Sequence, residues 1–245
     1  MFSRLILPFA AALALAPHAC GFAADNELTP QEQQEGWTLL FNGEDFTGWQ
    51  ASASSYGPYR KWIIEDGAIK TSLFGGKAKF VPPGHLMTEQ EYGDYVLDLE
   101  FQTAPGTHSG VLLREADPKR QEATGLEVQI YPAGSKSPHY ATGSFRHFIQ
   151  GPTKQAALPD GEWNRLRVTV QHPKVAVELN GETVNELDLA QWTEPGKRPD
   201  GSEHRMTNVA LSTMPKTGRI GFRDDHGSPI QYRNIKLKPL SGSKP

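Results

Sequence analysis

Gly125-Leu126-Glu127-Val128-Gln129-Ile130-Tyr131 is the stretch whose reading decides the fold. Side chains alternate between the two faces of a strand, so Leu126, Val128 and Ile130 enter a core while Glu127, Gln129 and Tyr131 line up on the opposite face. An acid, an amide and an aromatic on one surface suit a polyhydroxylated ligand, because the polar groups bond hydroxyls and a flat ring packs on sugar C–H bonds. The plainer reading is an antiparallel strand with one solvated side.

The same alternation recurs outward from this stretch. Upstream, Tyr95, Leu97, Leu99 and Phe101 share one face and Asp98, Glu100 and Gln102 the other. From His108 to Arg114 the phase is less clean, since Val111, Leu112 and Leu113 run together, and Arg114 shares parity with His108. If strands 95–101, 110–114 and 126–131 are neighbours, Glu100, Arg114 and Glu127 stand side by side on one concave face. Downstream, Leu166, Val168 and Val170 alternate with Arg165, Arg167 and Thr169, a half-exposed strand that pairs through a turn at His172-Pro173 with Val175 to Leu179, which Asn180-Gly181 closes. Trp62 to Ile69 reads as a hairpin around Asp66-Gly67. Tyr140 to Phe148 is the one strand-like part of a loop-rich segment, placing Arg146 and His147 at a rim. Gly218 to Phe222 leads to Asp225-His226-Gly227, and a histidine at a strand end titrates near neutral pH, which makes His226 an acid or base candidate. About a dozen short strands of this kind make an all-β antiparallel sandwich.

Composition agrees. The chain has 245 residues with 24 Gly and 19 Pro, a supply of turn residues suited to many short strands. A formal net charge of -3 leaves no basic excess to hold phosphates, so nucleic acid is not an expected partner. At the N-terminus Arg4 precedes an apolar run from Leu5 to Ala16 that is too short to span a bilayer, the pattern of a secretory signal. Cleavage is expected after Ala23 and export to the periplasm or medium follows. Lipid anchoring through Cys20 is disfavoured by Pro17 and His18, where a lipobox needs an aliphatic and a small residue. Residues 24–35 form an N-terminal segment in which Thr29-Pro30-Gln31-Glu32 marks a short helix with a capping box. Residues 36–240 form one domain without internal repeats, and 241–245 a tail.

A Walker loop, a dinucleotide fingerprint, His-Glu-x-x-His and a nucleophile elbow are all missing, which argues against phosphoryl transfer, hydride transfer and triad hydrolysis. No cofactor is implied with certainty. His108, Glu127 and His226 could converge on a divalent metal, but no single segment carries ligand spacing, so metal is left open. Ordinary glycosidases need two carboxyl groups across the scissile bond, and the position two beyond Glu127 is Gln129, which cannot ionise.

The order of motifs resembles the 3-keto-disaccharide hydrolase domain family. It is carried by Leu40-Phe41-Asn42-Gly43 with Thr47-Gly48-Trp49, Trp62 with Asp66-Gly67, the Ser109-Gly110 to Arg114 strand, Glu127-Val128-Gln129, Gly161-Glu162-Trp163-Asn164, Leu179-Asn180-Gly181, and Asp225-His226-Gly227 with Arg233-Asn234-Ile235. The resemblance implies a concanavalin A-like jelly roll of two antiparallel sheets and carbohydrate chemistry in an exported protein. It departs from the family's pattern at His108 and at Phe222-Arg223-Asp224. The implied reaction starts from a C3 ketone that acidifies the C2 proton: a base removes it, the C1 substituent leaves, and water adds to the enone. The roles that follow are base for Glu127 or His226, stabilisation of the C3 oxygen by Arg114, with Gln129 or a metal beside it, and orientation of the sugar by His108, Tyr131 and Glu100. A lectin-like carbohydrate-binding module is the reading from another class, and a two-carboxylate glucanase a third. Sugar, linkage, metal requirement and oligomeric state are not specified by these residues.

Overall fold

A computed structural model describes residues 25–52, 60–73, 80–81, 84–117, 124–224 and 228–240. The signal-like segment, Cys20 and His226 lie outside these. Among the described residues the strands form two antiparallel sheets packed as a jelly-roll sandwich, with one short helix ahead of them. That helix, Pro30–Gln34, carries its capping box: Glu32 N donates to Thr29 Oγ1 at 3.2 Å and Thr29 N to Glu32 Oε2 at 2.9 Å.

The larger sheet is built from β1 (Thr38–Leu39), β3 (Arg60–Glu65), β4 (Ala68–Leu73), β5 (Phe80–Val81), β7 (Tyr95–Thr103), β10 (Trp163–Gln171), β11 (Lys174–Leu179), β12 (Glu182–Asp188) and β14 (Ile230–Pro239), in the order β12-β11-β10-β7-β14-β4-β3-β5 with β1 on β14. The smaller contains β2 (Trp49–Ser52), β6 (His85–Tyr92), β8 (Ser109–Glu115), β9 (Leu126–Ile130) and β13 (Gly218–Phe222), in the order β2-β6-β13-β8-β9. The hairpins turn where Asp66-Gly67 and Asn180-Gly181 put both residues in the left-handed region that such two-residue turns require. Pairing between Tyr140 and Phe148 is slighter than its sequence suggests, reduced to bridges of Phe145 with Val128 and Gln150 beside a 3-10 turn at Pro138–Tyr140.

Alternation holds along both key strands. Tyr95, Leu97, Leu99 and Phe101 of β7 and Leu126, Val128 and Ile130 of β9 lie in one core. Phe222 of β13 stacks on Tyr232 of β14 with centroids 3.9 Å apart and on Trp49 at 5.3 Å, so one aromatic column joins the sheets.

Two expectations fail here. Strand β7 lies in the larger sheet between β10 and β14, whereas β8 and β9 pair in the smaller one. Glu100 is therefore not beside Glu127: it accepts from Arg233 Nε at 2.8 Å and Asn234 Nδ2 at 3.0 Å on the outer face of the larger sheet. Alternation reports which way a side chain points, not which sheet its strand joins.

The second failure is in β8. Arg219 of β13 pairs with Glu115 and Gly221 with Leu112, so Ile220 alone is opposed by both Leu113 and Arg114, a β-bulge. Arg114 takes φ +52 and leaves the alternation, and Glu115 inherits the face of Leu112. The Arg114 guanidinium donates from Nε to Gly93 O at 2.9 Å and pairs with Asp94, whose carboxylate also accepts from His172 N at 3.0 Å. Arg114 thus ties two turns together and does not reach Glu127.

Candidate active site around Glu127

The outward face of the smaller sheet gathers the charged groups. Gly110 pairs with Gln129 and Leu112 with Glu127 across β8 and β9. The Glu127 carboxylate accepts from Arg223 Nη1 at 3.1 Å on each oxygen and from Arg146 Nη1 at 3.1 Å on Oε2. Glu127 and Arg223 side chains are 4% and 2% exposed, Arg146 22%. A carboxylate buried so deeply must be compensated, and two charge-assisted contacts supply that.

Local backbone bonding explains why the two guanidiniums converge. Arg223 N donates to Gly110 O at 2.9 Å while Arg223 O accepts from Ser109 Oγ at 2.7 Å, which ties the chain beyond β13 to β8. Arg146 N donates to Glu127 O at 3.0 Å, part of a segment that lies along the free side of β9. Gly110 leaves room for the carboxylate: a Cβ there would stand 2.6 Å from Glu127 Oε1, 2.8 Å from its Cγ and 2.9 Å from Val128 O. His147 and Phe148, next along from Arg146, both hold left-handed backbone, and such strain gathers at functional sites.

Gln129 is buried and committed internally. Its Nε2 donates to His139 O at 2.9 Å and Ser144 Oγ at 3.0 Å, and its Oε1 accepts from the Tyr131 hydroxyl at 3.2 Å. Its expected contact to sugar is thereby replaced by a wiring role, because both amide hydrogens are taken by protein. Tyr131 OH also meets His108 Nε2 at 2.5 Å, and the two rings stack with centroids 4.5 Å apart. Once the hydroxyl proton goes to Gln129 Oε1, Nε2 of His108 must be the donor, which assigns its tautomer from the network. Tyr140 and Phe148 extend this row of rings, edge-on at 5.7 and 5.5 Å, and Arg205 caps Phe148 at 3.9 Å.

Sequence reasoning passed over four groups. Arg223 is the buried partner of Glu127; the alternation of Ile220 and Phe222 inward, continued by one residue, would have pointed it outward. Asp224 and His85 are buried beside it, with Asp224 N donating to His85 Nδ1 at 3.0 Å. Glu115 is 1% exposed and burial, with the nearby Asp117 and Glu127, pushes its carboxyl up to about 8. Among the described residues no three His, Cys, Asp or Glu side chains converge as a metal site requires.

Fold and site define the class: a jelly-roll sandwich with a buried carboxylate between two guanidiniums on the outer face of its smaller sheet. Within that class the chain belongs to the 3-keto-alpha-glucoside-1,2-lyase-like domain family, whose pattern matches residues 36–238. A Bacteroides thetaiotaomicron 3-keto-disaccharide hydrolase is 27% identical over 231 residues, covering 84% of this chain and 79% of that protein. Two crystal structures of proposed glycosyl hydrolases from Parabacteroides distasonis superpose with TM-scores of 0.69 and 0.68 at 29% and 28% identity. They span 83% and 89% of this chain and 99% and 100% of theirs.

Proposed function

We propose that the protein cleaves the glycosidic bond of 3-keto-glycosides, disaccharides among them, by C2 proton abstraction, elimination at C1 and hydration of the enone. The observation that carries this reading is the charge of the Glu127 centre. One carboxylate faces two guanidiniums, Arg223 and Arg146, so the three side chains hold one positive charge in excess. A site that must remove a proton and then hold an enolate needs a base beside surplus positive charge in a dry environment. Arg146 and Arg223 take the part first expected of Arg114.

Glu127 accepts the C2 proton, with His226 the other candidate for it. Arg146, the more exposed of the two arginines, meets the C3 oxygen as charge develops there, while Arg223 holds Glu127 in place. The His108 and Tyr131 rings orient the sugar. Family membership and the activity named for the Bacteroides relative support the same chemistry. The N-terminal segment supports export, which sequencing of the mature N-terminus tests.

The decisive assay is release of product from a 3-keto-glucoside by wild type and Glu127→Gln. Loss of about 1000-fold in kcat/KM is expected, the middle of the range for a positioned acid or base. Undiminished activity in the variant removes Glu127 as base. Saccharide binding by the wild type without any turnover would leave a carbohydrate-binding module.

A further inference from the structure

Glu115 is a second carboxyl group on the face of Glu127, and its presence there depends on the bulge. With Leu113 and Arg114 both set against Ile220, Glu115 falls on the side of Leu112 and Gly221. Glu115, Glu127, Arg146 and His147 line one cavity of about 20 Å3 whose other walls are apolar, Leu126, Ile149 and Met206 among them, enough for about one water molecule. Glu115 Oε1 has no hydrogen-bond partner among the described residues. A buried carboxyl oxygen without a partner is costly as a purely structural element, whereas an acid that opens onto a water-sized cavity shared with Glu127, Arg146 and His147 can pass a proton.

We propose that Glu115 is the proton donor of the site, delivering a proton through this cavity to the glycosidic oxygen as the C1–O bond breaks. The proposal rests on the reaction given above. The C2 proton goes to Glu127 and the C2–H electron pair forms the enolate. The enolate collapses to the C1=C2 enone, the C1–O electron pair leaves with the oxygen, and that oxygen takes the proton of Glu115. Water then adds at C1: its proton returns to Glu115, its hydroxide bonds C1, and protonated Glu127 gives its proton back to C2. Both carboxyl groups end as they began, and the net change is one water consumed.

The surroundings favour a neutral Glu115. Asp117 approaches from just beyond its own strand and Glu127 from β9, both raising its carboxyl; Thr124, from the segment leading into β9, hydrogen-bonds it and acts the other way, and Arg146 and His147 line the same cavity from the following loop. Arg219, its register partner on β13, directs its guanidinium to Glu91 at 3.4 Å. Burial and the two neighbouring carboxylates keep the proton on Glu115 up to about pH 8.

The experiment compares methyl and 4-nitrophenyl 3-keto-glucosides, because a nitrophenolate departs without a proton and methoxide does not. Glu115→Gln is expected to lose about 100-fold on the methyl glycoside and less than about threefold on the nitrophenyl one. Equal losses on both, or no loss, overturn the donor role while wild-type turnover keeps the parent reaction intact. Wild type inert on both substrates overturns the parent reaction and the donor role with it. If Glu115→Gln does not fold, the wild type decides: kcat/KM on the methyl glycoside falls above about pH 8 and stays flat on the nitrophenyl glycoside. The same pH profile for both overturns the proposal.

Discussion

Each sheet carries a buried carboxylate gripped by two arginines, and the two are not equivalent. On the larger sheet Asp98 accepts from Arg165 Nε and Nη2 at 2.9 and 2.8 Å and from Arg167 Nε at 2.8 Å. Those arginines sit on the directly adjacent strand and are 51% and 36% exposed. On the smaller sheet Glu127 draws Arg146 from 19 residues away and Arg223 from 96, and Arg223 is almost wholly buried. The first is a cross-strand ladder whose cations stand partly in water over a buried acid, and it steadies the pairing of β7 with β10. The second assembles three distant segments in a dry setting. An acid between two arginines is therefore not a signature of chemistry; burial of the cations and the sequence distance that brings them are.

Substitution of the two acids should break the comparison most sharply. Glu127→Gln removes about 1000-fold of kcat/KM on a 3-keto-glucoside, while Asp98→Asn stays within about threefold. The Asn variant instead loses about 1–2 kcal/mol in denaturant unfolding, since its arginines turn to solvent. Equal activity losses would erase the distinction.

Gly110→Ala tests whether the placement of Glu127 matters beyond its identity. The added methyl would meet Oε1 and Cγ of Glu127 and the Val128 carbonyl, so the carboxylate must move. Activity should drop about 100-fold from misplacement, with a stability cost of about 1–3 kcal/mol from overpacking. A crystal structure of the variant with Glu127 unmoved, or unchanged kinetics, would refute that.

A smaller effect concerns pH. Glu115 has its folded value raised from 4.5 to about 8, so between those values the native state binds more protons than the unfolded chain. The stabilisation is complete below about pH 4.5 and is lost as pH rises to about 8. It amounts to on the order of 2 kcal/mol after allowing for relaxation and water entry. Urea melts across that window should show the decline in wild type and a flatter profile in Glu115→Gln. The least consequential change is Arg165→Ala, worth less than about 1 kcal/mol and silent in activity, because its guanidinium is half in water.

The facing of each strand was legible in the sequence because burial on one side forces a period of two. Glu127, Gln129 and Tyr131 share a face for that reason, and the turns at Asp66-Gly67 and Asn180-Gly181 were readable from residues that tolerate positive φ. Sheet membership was not, because β7 could have paired with either set of strands on pattern alone, and Glu100 was misplaced as a result. Arg223 could be aimed by parity, but its meeting with Glu127 depends on β13 lying beside β8, which no local signal specifies. The exchange of Arg114 for Glu115 was hidden because a bulge leaves no mark in hydropathy: Val111-Leu112-Leu113 only blurred the phase.

That bulge has an implication for how such a site diversifies. A single residue in the left-handed region acts as a reading-frame shift along the strand, so position in the chain is not the address on the sheet. Straighten β8 and the slot beside Glu127 passes from Glu115 to Arg114, an acid exchanged for a cation with neither residue substituted. Relatives that gain or lose this one kink would differ in the protonic character of their sites while their aligned sequences look the same.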